Sequence, residues 1–327
     1  MKAAVRSKYG SPDILSIQQL EMPTPKYNEV LVRVYATTVN RTDCAILWGK
    51  PFMSRFFTGL LKPRLLVTGT DFAGKIEAIG KNVKSFKAGD RVMGFGGMGI
   101  KSHAEYLTIA EGKVIITIPD NITYEQAAAC VEGAIYALSS MIDKVNPKAG
   151  QRGLVNGASG AIGSAAVQLL KYFGVHVTAV CDAKNLAMVK SLGAERVIDY
   201  SREDFTKDDQ KYNFVFDTVG KSTFSKCKPL LLPGGTYISS DPGPNWQNAF
   251  LPLTTAITGN KKVIFAIPFN IKRSLFLIKD LIEQGKFKPV IDRKYPLDKI
   301  AEAYEYVATG QKTGNVLITF ESSNKPQ

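Results

Sequence analysis

Over residues 1–122 apolar and polar positions alternate in short runs: Val30-Leu-Val-Arg-Val-Tyr35, Phe72-Ala-Gly-Lys-Ile-Glu-Ala-Ile79, Asp90-Arg-Val-Met-Gly94 and Ala104-Glu-Tyr-Leu-Thr-Ile109. A period of two predicts strands, and the closely spaced glycines and prolines predict a barrel-like or rolled sheet. At residue 123 the texture changes. Thr123-Tyr-Glu-Gln126 carries a capping-box pattern, which predicts a helix continuing through the Ala-rich stretch to about Ile142. Apolar runs at 153–156, 175–180, 196–198, 213–217, 235–239 and 262–267 then alternate with helical patterns at 162–173, 184–192 and 222–231. That rhythm predicts a parallel sheet with helices on both faces. Two amphipathic helices, 271–284 and 297–309, and a strand, 315–320, complete the pattern, and the tail 322–327 reads as frayed.

One junction carries chemistry. The run Leu154-Val-Asn-Gly157-Ala158-Ser159-Gly160-Ala161-Ile162-Gly163 leads from a strand through a glycine turn into a helix. Backbone N–H groups at such a helix start hold a pyrophosphate. Gly160 would let the backbone approach the phosphates, and Gly163 would let helix and strand pack closely. Asp182 follows the next strand, where a ribose-binding acid is expected about 20 residues on.

A length of 327 residues suggests about two domains at ~150 residues each. No apolar run approaches the ~18–20 residues of a membrane span, and Met1-Lys-Ala-Ala-Val-Arg6 lacks the apolar core of a signal peptide. The chain reads as soluble, intracellular and cytoplasmic. The four cysteines, Cys44, Cys130, Cys181 and Cys227, are widely spaced, which argues against a disulfide framework or a structural zinc cluster. The net charge of +13 raises the question of nucleic acid. The basic residues are scattered, however, and no nucleic-acid motif is visible. The charge reads first as solubility, then as attraction for an anionic cofactor, and last as contact with a membrane surface.

The motifs Gly69-Thr-Asp-Phe-Ala-Gly-Lys-Ile-Glu-Ala-Ile-Gly80, Val83-Lys-Ser-Phe-Lys-Ala-Gly-Asp-Arg-Val-Met-Gly94, Asn156-Gly-Ala-Ser-Gly-Ala-Ile-Gly163, Ser191-Leu-Gly-Ala-Glu-Arg-Val-Ile-Asp-Tyr200, Phe216-Asp-Thr-Val-Gly220 and Gly314-Asn-Val-Leu-Ile318 span nearly the whole chain. Together they resemble the medium-chain dehydrogenase/reductase superfamily, within it the zinc-free quinone oxidoreductase (zeta-crystallin-like) branch. The resemblance implies an α/β fold in which a Rossmann doubly wound parallel sheet is inserted in a GroES-like β-rich catalytic domain. The expected boundaries are 1–122 for the first part of the catalytic domain, 123–267 for the nucleotide-binding domain and 268–327 for the C-terminal part of the catalytic domain, with the cofactor in the cleft.

The resemblance also bears on metal. The catalytic zinc-ligand places of the alcohol dehydrogenases fall here on Asn40, Thr70 and Cys130, and the structural-zinc lobe maps to Phe95–His103, which has no cysteine. One soft ligand does not make a catalytic zinc site, so no metal is expected. His103 and His176 read as loop or packing residues.

Asp182 argues for NADH, because a carboxylate accepts ribose hydroxyls and repels a 2′-phosphate. By resemblance, Lys184 and Tyr200 stand where the 2′-phosphate of NADPH is contacted, so NADPH is the expected cofactor and NADH the alternative. Val219, Gly220 and Ser239 fall at the carboxyl ends of predicted strands, where ligands bind in an open α/β sheet, and the resemblance adds Asn315. The loop Val39-Asn-Arg-Thr-Asp-Cys44 is implied to sit beside the nicotinamide. Within it Asn40 is expected to orient the substrate or donate to an oxyanion, and Asp43 to hold Arg41 or a backbone group. Trp48 and Phe95 read either as walls of a substrate cleft or as core.

Without a Lewis acid, hydride transfer to an electron-poor carbon of a quinone or enone is easier to arrange than alcohol oxidation. The expected function is therefore a zinc-independent NAD(P)H-dependent reductase of such small molecules. A zinc-free alcohol dehydrogenase and a nucleotide-binding protein of little turnover are the alternatives. Residues 47–67 mix aromatics with Lys50, Arg55, Lys62 and Arg64. They read as a surface helix packed on the catalytic domain, or as an entrance for a long apolar substrate or a contact with an anionic membrane. Lys262-Val-Ile-Phe-Ala-Ile267 reads as an edge strand through which a homodimer would form.

Overall fold

A computed structural model describes residues 1–320, so the expectation for the tail 322–327 lies outside the described residues. The chain forms two compact units, one made of Met1–Glu132 and the chain from Pro289 onward, the other of Gly133–Lys288.

The first unit is built on β1 (Lys2–Val5), β2 (Ser16–Gln19), β3 (Glu29–Val39), β4 (Asp71–Ile79), β5 (Arg91–Phe95), β6 (Tyr106–Ala110) and β7 (Ile115–Thr117). The four alternating runs correspond to β3, β4, β5 and β6, whereas β2 and β7 carried no such run. β3 is longer than its pattern suggested, because Ala36, Thr37, Thr38 and Val39 are also buried. Within its 11 residues, 30–36 pair β4 antiparallel and 29–33 pair β6. Val30, Val32, Val34, Phe72, Ile76 and Leu107 form the core of this rolled sheet.

The helix expected over 123–142 is broken. Its capping box forms, with Gln126 N donating to Thr123 Oγ1 at 3.2 Å and Thr123 N to Gln126 Oε1 at 3.0 Å. The helix Tyr124–Ala129 packs on β3 and β4 and so belongs to the first unit. After Cys130 a second turn, Glu132–Ile135, runs into a π-helical segment, Tyr136–Ile142. Gly133 there presses on another backbone: a Cβ would stand 2.8 Å from Ala161 O.

The second unit contains β8 (Arg152–Asn156), β9 (His176–Cys181), β10 (Arg196–Asp199), β11 (Tyr212–Asp217), β12 (Leu231–Ser239) and β13 (Lys262–Phe265), all parallel in the order β10-β9-β8-β11-β12-β13. This is the doubly wound order, with the reversal beside β8. One crossover helix, Gln247–Thr258, has no counterpart among the helical patterns read from the sequence, and Pro252 lies within it. Parallel pairing of β12 and β13 requires a crossover there.

The boundaries differ from 122/123 and 267/268 for a packing reason. The helix Ile271–Glu283 buries Leu275, Ile278, Leu281 and Ile282 and contacts the π-helical segment, so it belongs to the nucleotide unit. Lys288 is tied there as well: Gln168 Nε2 donates to its carbonyl at 3.0 Å and its N–H donates to Gln168 Oε1 at 2.9 Å.

The chain then returns to the first unit with β14 (Ile291–Pro296), the helix Ile300–Ala308 and β15 (Asn315–Thr319). β15 pairs antiparallel with β3 at 36–39 and parallel with β14. The helix buries Ala303, Tyr304 and Val307 against Val39, Cys44 and Leu47. Trp48 packs at the margin of this cluster, and Phe95 is buried at the end of β5, so both are core residues.

Candidate functional site

The glycine turn follows β8. Gly157 has φ +81, a left-handed conformation that a side chain resists, and its Cβ would meet Val219 at 2.5 Å. The N–H groups of Gly157 and Ala158 donate to Val180 O at 3.1 and 2.9 Å, which ties the turn to β9. Gly160 caps the helix Ala161–Tyr172 and accepts the helical bond from Ser164 N at 2.8 Å. The amides of Ala161, Ile162 and Gly163 precede that bond and form the open start of the helix. A Cβ on Gly163 would stand 2.1 Å from Gly157 O, so the helix can pack onto the turn only through glycine. A Cβ on Gly160 would meet only Gly157 O, at 3.5 Å, so that side of the turn is open to a ligand. These features fit a dinucleotide pyrophosphate.

Three residues gather at the ends of β9 and β10. Asp182 follows β9; its Oδ1 accepts from Asn185 Nδ2, and Lys184 Nζ lies 3.6 Å from its Oδ2. Tyr200 follows β10 and is exposed; burial raises its hydroxyl pKa most, and the charge of Asp182 adds to the shift. Asp182 therefore stands with a cation already against it, and not as an isolated acid.

After β11, Asp217 organises the next loop. It accepts from Asn156 Nδ2 at 3.1 Å, Ser222 N at 2.9 Å and Tyr237 OH at 3.1 Å. Val219 is left exposed, and Gly220 has φ +64. Ser239 ends β12 fully buried, and its hydroxyl is spent on the Asp241 backbone at 3.2 Å. Asn315 is buried at the start of β15 in the first unit, where its Nδ2 donates to Val290 O at 3.0 Å. Its side chain joins two segments of that unit.

The first unit holds a buried polar cluster around the end of β3. Asn40 caps the helix Arg41–Trp48, and Asp43 Oδ2 accepts the Asn40 N–H at 2.8 Å. Asn40 Nδ2 donates to Thr38 Oγ1, and its side chain also hydrogen-bonds Glu132. Thr70 donates to Glu132 Oε2 at 2.5 Å and lies 3.4 Å from Asp43 Oδ2. Asp71 accepts from Thr38 N at 2.8 Å, Thr38 Oγ1 at 2.5 Å and Thr37 Oγ1 at 3.2 Å. The carboxyls of Asp43, Asp71 and Glu132 are all buried.

Burial raises the pKa of Asp43 well above the usual range, and the charge of Glu132 adds to the shift. Burial and Glu132 together bring Asp71 to about 7. Glu132 is raised by burial and lowered by its bonds to Thr70, Thr42 and Asn40 and by the charge of Lys312. Asp43 Oδ1 is buried with no hydrogen bond among the described residues, a position tolerable for a neutral carboxyl and costly for a charged one. Lys312 has its ammonium brought down to about 8 by desolvation, against the pull of Glu132. Burial thus disfavours the charged forms of Asp43 and Glu132, and the Thr70 hydroxyl lies between them.

Sequence reasoning missed Glu132, Asp71 and Lys312. Glu132 had a signal, an acid inside the apolar run Ala127–Ile135. Lys312 had none, because only the return of β15 brings it to Glu132. His103 bridges Thr68 Oγ1 at 2.8 Å and Thr38 O at 3.0 Å, and burial lowers its pKa to about 4. It is a neutral, packed histidine. His176 is exposed and paired with Glu195 at 2.9 Å.

The donor set does not fit a catalytic zinc. Asn40 and Thr70 offer an amide and a hydroxyl already engaged with Thr38 and Glu132, and burial raises the Cys130 thiol far from its thiolate. Among the described residues no three His, Cys, Asp or Glu side chains are grouped to hold a metal.

A glycine turn at the switch point of a parallel sheet in one unit, in a chain whose other unit is a β-rich rolled sheet, defines a dinucleotide-dependent oxidoreductase fold. Residues 26–120 match the family described as alcohol dehydrogenase GroES-like domain, and residues 192–318 the family described as zinc-binding dehydrogenase. The chain is similar to the chloroplast envelope quinone oxidoreductase homolog of Arabidopsis thaliana, 33% identical with 92% of each chain covered. It is also similar to the NADPH-dependent alkenal/one oxidoreductase of the same plant, 32% identical over 97% of this chain and 79% of that one. The solved structure of the quinone oxidoreductase from Coxiella burnetii superposes with a TM-score of 0.87 at 24% identity, covering 98% of this chain and 99% of that one, and shows the shared fold. The chain belongs to the medium-chain dehydrogenase/reductase superfamily, in its zeta-crystallin-like quinone oxidoreductase branch.

Proposed function

We propose that this protein is a zinc-independent NAD(P)H-dependent reductase that transfers hydride to a quinone or an α,β-unsaturated carbonyl compound. The observation that carries the reading is that Asn40 and Thr70, which stand at family zinc-ligand places, are bound into a buried hydrogen-bonded cluster with Glu132. Relatives named as quinone oxidoreductases and as an alkenal/one oxidoreductase support it.

When bound, the reduced nicotinamide supplies the hydride. The chain's own residues supply the rest. The turn Gly157–Gly163 holds the pyrophosphate by backbone N–H groups. As hydride reaches the acceptor's electron-poor carbon, negative charge collects on its carbonyl oxygen, and hydrogen-bond donors are needed there. The second amide N–H of Asn40, the one not given to Thr38, is assigned that work, with Asp43 positioning Asn40. The carboxyls of Asp43 and Glu132, whose charged forms burial disfavours, are assigned the proton that completes the reduction.

NADPH is the cofactor we favour, with NADH the alternative. Lys184 partly offsets the charge of Asp182, and it stands with Tyr200 at the strand ends where a 2′-phosphate would be read. A homodimer through β13 is part of the proposal. β13 ends its sheet, and beside it in sequence Phe250, Leu253 and Ile257 stand exposed on one helix. A reducing compartment such as the cytoplasm suits four cysteines that are all free and buried.

The test is cofactor consumption by the purified chain over naphthoquinones, alkenals and long-chain enones. Steady oxidation of NADPH with at least one acceptor class is expected. Binding of NADPH without turnover on any acceptor would leave a nucleotide-binding protein, and turnover only with primary alcohols and NAD(P)+ would leave an alcohol dehydrogenase.

A further inference from the structure

Residues 50–66 do not behave as a surface helix packed on the domain. They form a short 3-10 turn, Phe52–Ser54, one helical turn, Arg55–Thr58, and a loop back to β4. The backbone of this excursion is pinned from within. Tyr9 OH bonds Thr58 Oγ1 at 2.8 Å and Gly59 O at 2.6 Å, and Arg64 N donates to Thr58 O at 2.7 Å. Arg55 lies over the Tyr9 ring at 4.4 Å and donates to Gly49 O at 3.1 Å. Thr58, Gly59 and Pro63 are buried as the anchors.

The large apolar side chains point the other way. Leu61 is 91% and Phe57 71% exposed, and Phe52, Met53, Phe56 and Leu66 are also exposed. A folded chain that holds its backbone this firmly while presenting these side chains to water leaves their burial unmade. Such a concentration marks a surface that is covered in use.

The charges decide what covers it. Lys50, Lys62 and Arg64 are exposed among the apolar groups, and residues 44–70 contain no Asp or Glu. A second copy meeting this patch across a two-fold axis would set these cations against their own images. An anionic bilayer meets both demands, because acyl chains accept the Phe and Leu side chains while lipid headgroups neutralise the basic rim. The rest of the molecule favours the same partner through its net charge of +13.

We propose that residues 50–66 are a membrane-surface docking loop that inserts Phe57 and Leu61 into anionic bilayers, with Lys50, Lys62 and Arg64 at the headgroups. The inference stands apart from the reaction assigned above. The test is co-sedimentation of the full chain with vesicles of phosphatidylcholine alone and of phosphatidylcholine mixed with phosphatidylglycerol, at low and at high salt.

Binding to the mixed vesicles and release by salt are expected. Lys62→Gln with Arg64→Gln should weaken the binding about 30-fold, from roughly one factor of ten or less per cation. Phe57→Ser with Leu61→Ser should weaken it on the order of a hundredfold or more. Both double variants should keep the wild-type melting temperature, because all four side chains are exposed. Failure of the wild-type chain to sediment with the mixed vesicles at low salt would overturn the proposal. So would equal binding by wild type and the Phe57/Leu61 variant. Loss of a dimer in that variant, read by sedimentation velocity, would make the patch an interface between copies instead.

Discussion

Replacing Asp71 by Asn should make the protein more stable at alkaline pH and leave it unchanged at acid pH. Asp71 opens β4 fully buried, with both oxygens engaged by Thr37 and Thr38. Burial, helped by the charge of Glu132, raises its carboxyl from 3.8 to about 7. Between those values the folded chain keeps a proton that the unfolded chain has released. A raised folded-state value means the contribution is fully present below about pH 4 and is lost as pH rises through about 7. At 1.36 kcal/mol per pH unit the loss between pH 4 and pH 8 is about 3–4 kcal/mol. Asn keeps the shape and the acceptor for Thr38 N–H but does not titrate. The variant should therefore match wild type near pH 4 and exceed it by about 3–4 kcal/mol at pH 8. His103 acts in the opposite sense. Its lowered value of about 4 gives stability present above 6.5 and lost as pH falls through 4, but it is common to both proteins and cancels in the comparison. Urea unfolding followed by circular dichroism at both pH values reads the difference. A stability difference that does not change with pH would refute the assignment of a buried, proton-holding carboxyl at residue 71.

Four further outcomes are expected. Gly160→Asp should abolish cofactor binding through a clash and like-charge repulsion at the pyrophosphate, and unchanged affinity by calorimetry in a folded variant would show the turn to be misassigned. Lys184→Ala should weaken NADPH more than NADH by about 1–2 kcal/mol, whereas equal losses would make Asp182 the selector. Elemental analysis should find no stoichiometric metal; about one zinc per chain, with activity lost to a chelator, would contradict the donor chemistry at Asn40, Thr70 and Cys130. Light scattering at micromolar concentration should show a dimer that Ile264→Lys dissociates, and a mass near 36 kDa for wild type would count against the β13 edge.

Much of this molecule was legible in its sequence because the signals are local. Period-two runs placed β3 to β6, continuous apolar runs placed the strands of the parallel sheet, and the spacing of glycines in Gly157–Gly163 placed the phosphate turn, since φ +81 at Gly157 and a contact of 2.1 Å at Gly163 exclude side chains whatever the surroundings. The capping box at Thr123–Gln126 formed as read, for the same reason. What followed it was not local. The helix stops at Cys130 because its first turns pack on β3 and β4 while Gly133 presses against Ala161 in the other unit's fold. The helix Ile271–Glu283 shows its apolar face in the sequence, but not which core accepts that face. The polar cluster was least legible. Thr38, Asn40, Asp43, Thr70, Asp71, Glu132 and Lys312 come from separate segments, and each alone is an ordinary polar residue. Their raised carboxyls exist only because the fold buries three of them together, where burial disfavours the charged forms. Residue types and spacing thus determined the fold class and the cofactor turn, and tertiary burial set the acid–base character of the polar cluster.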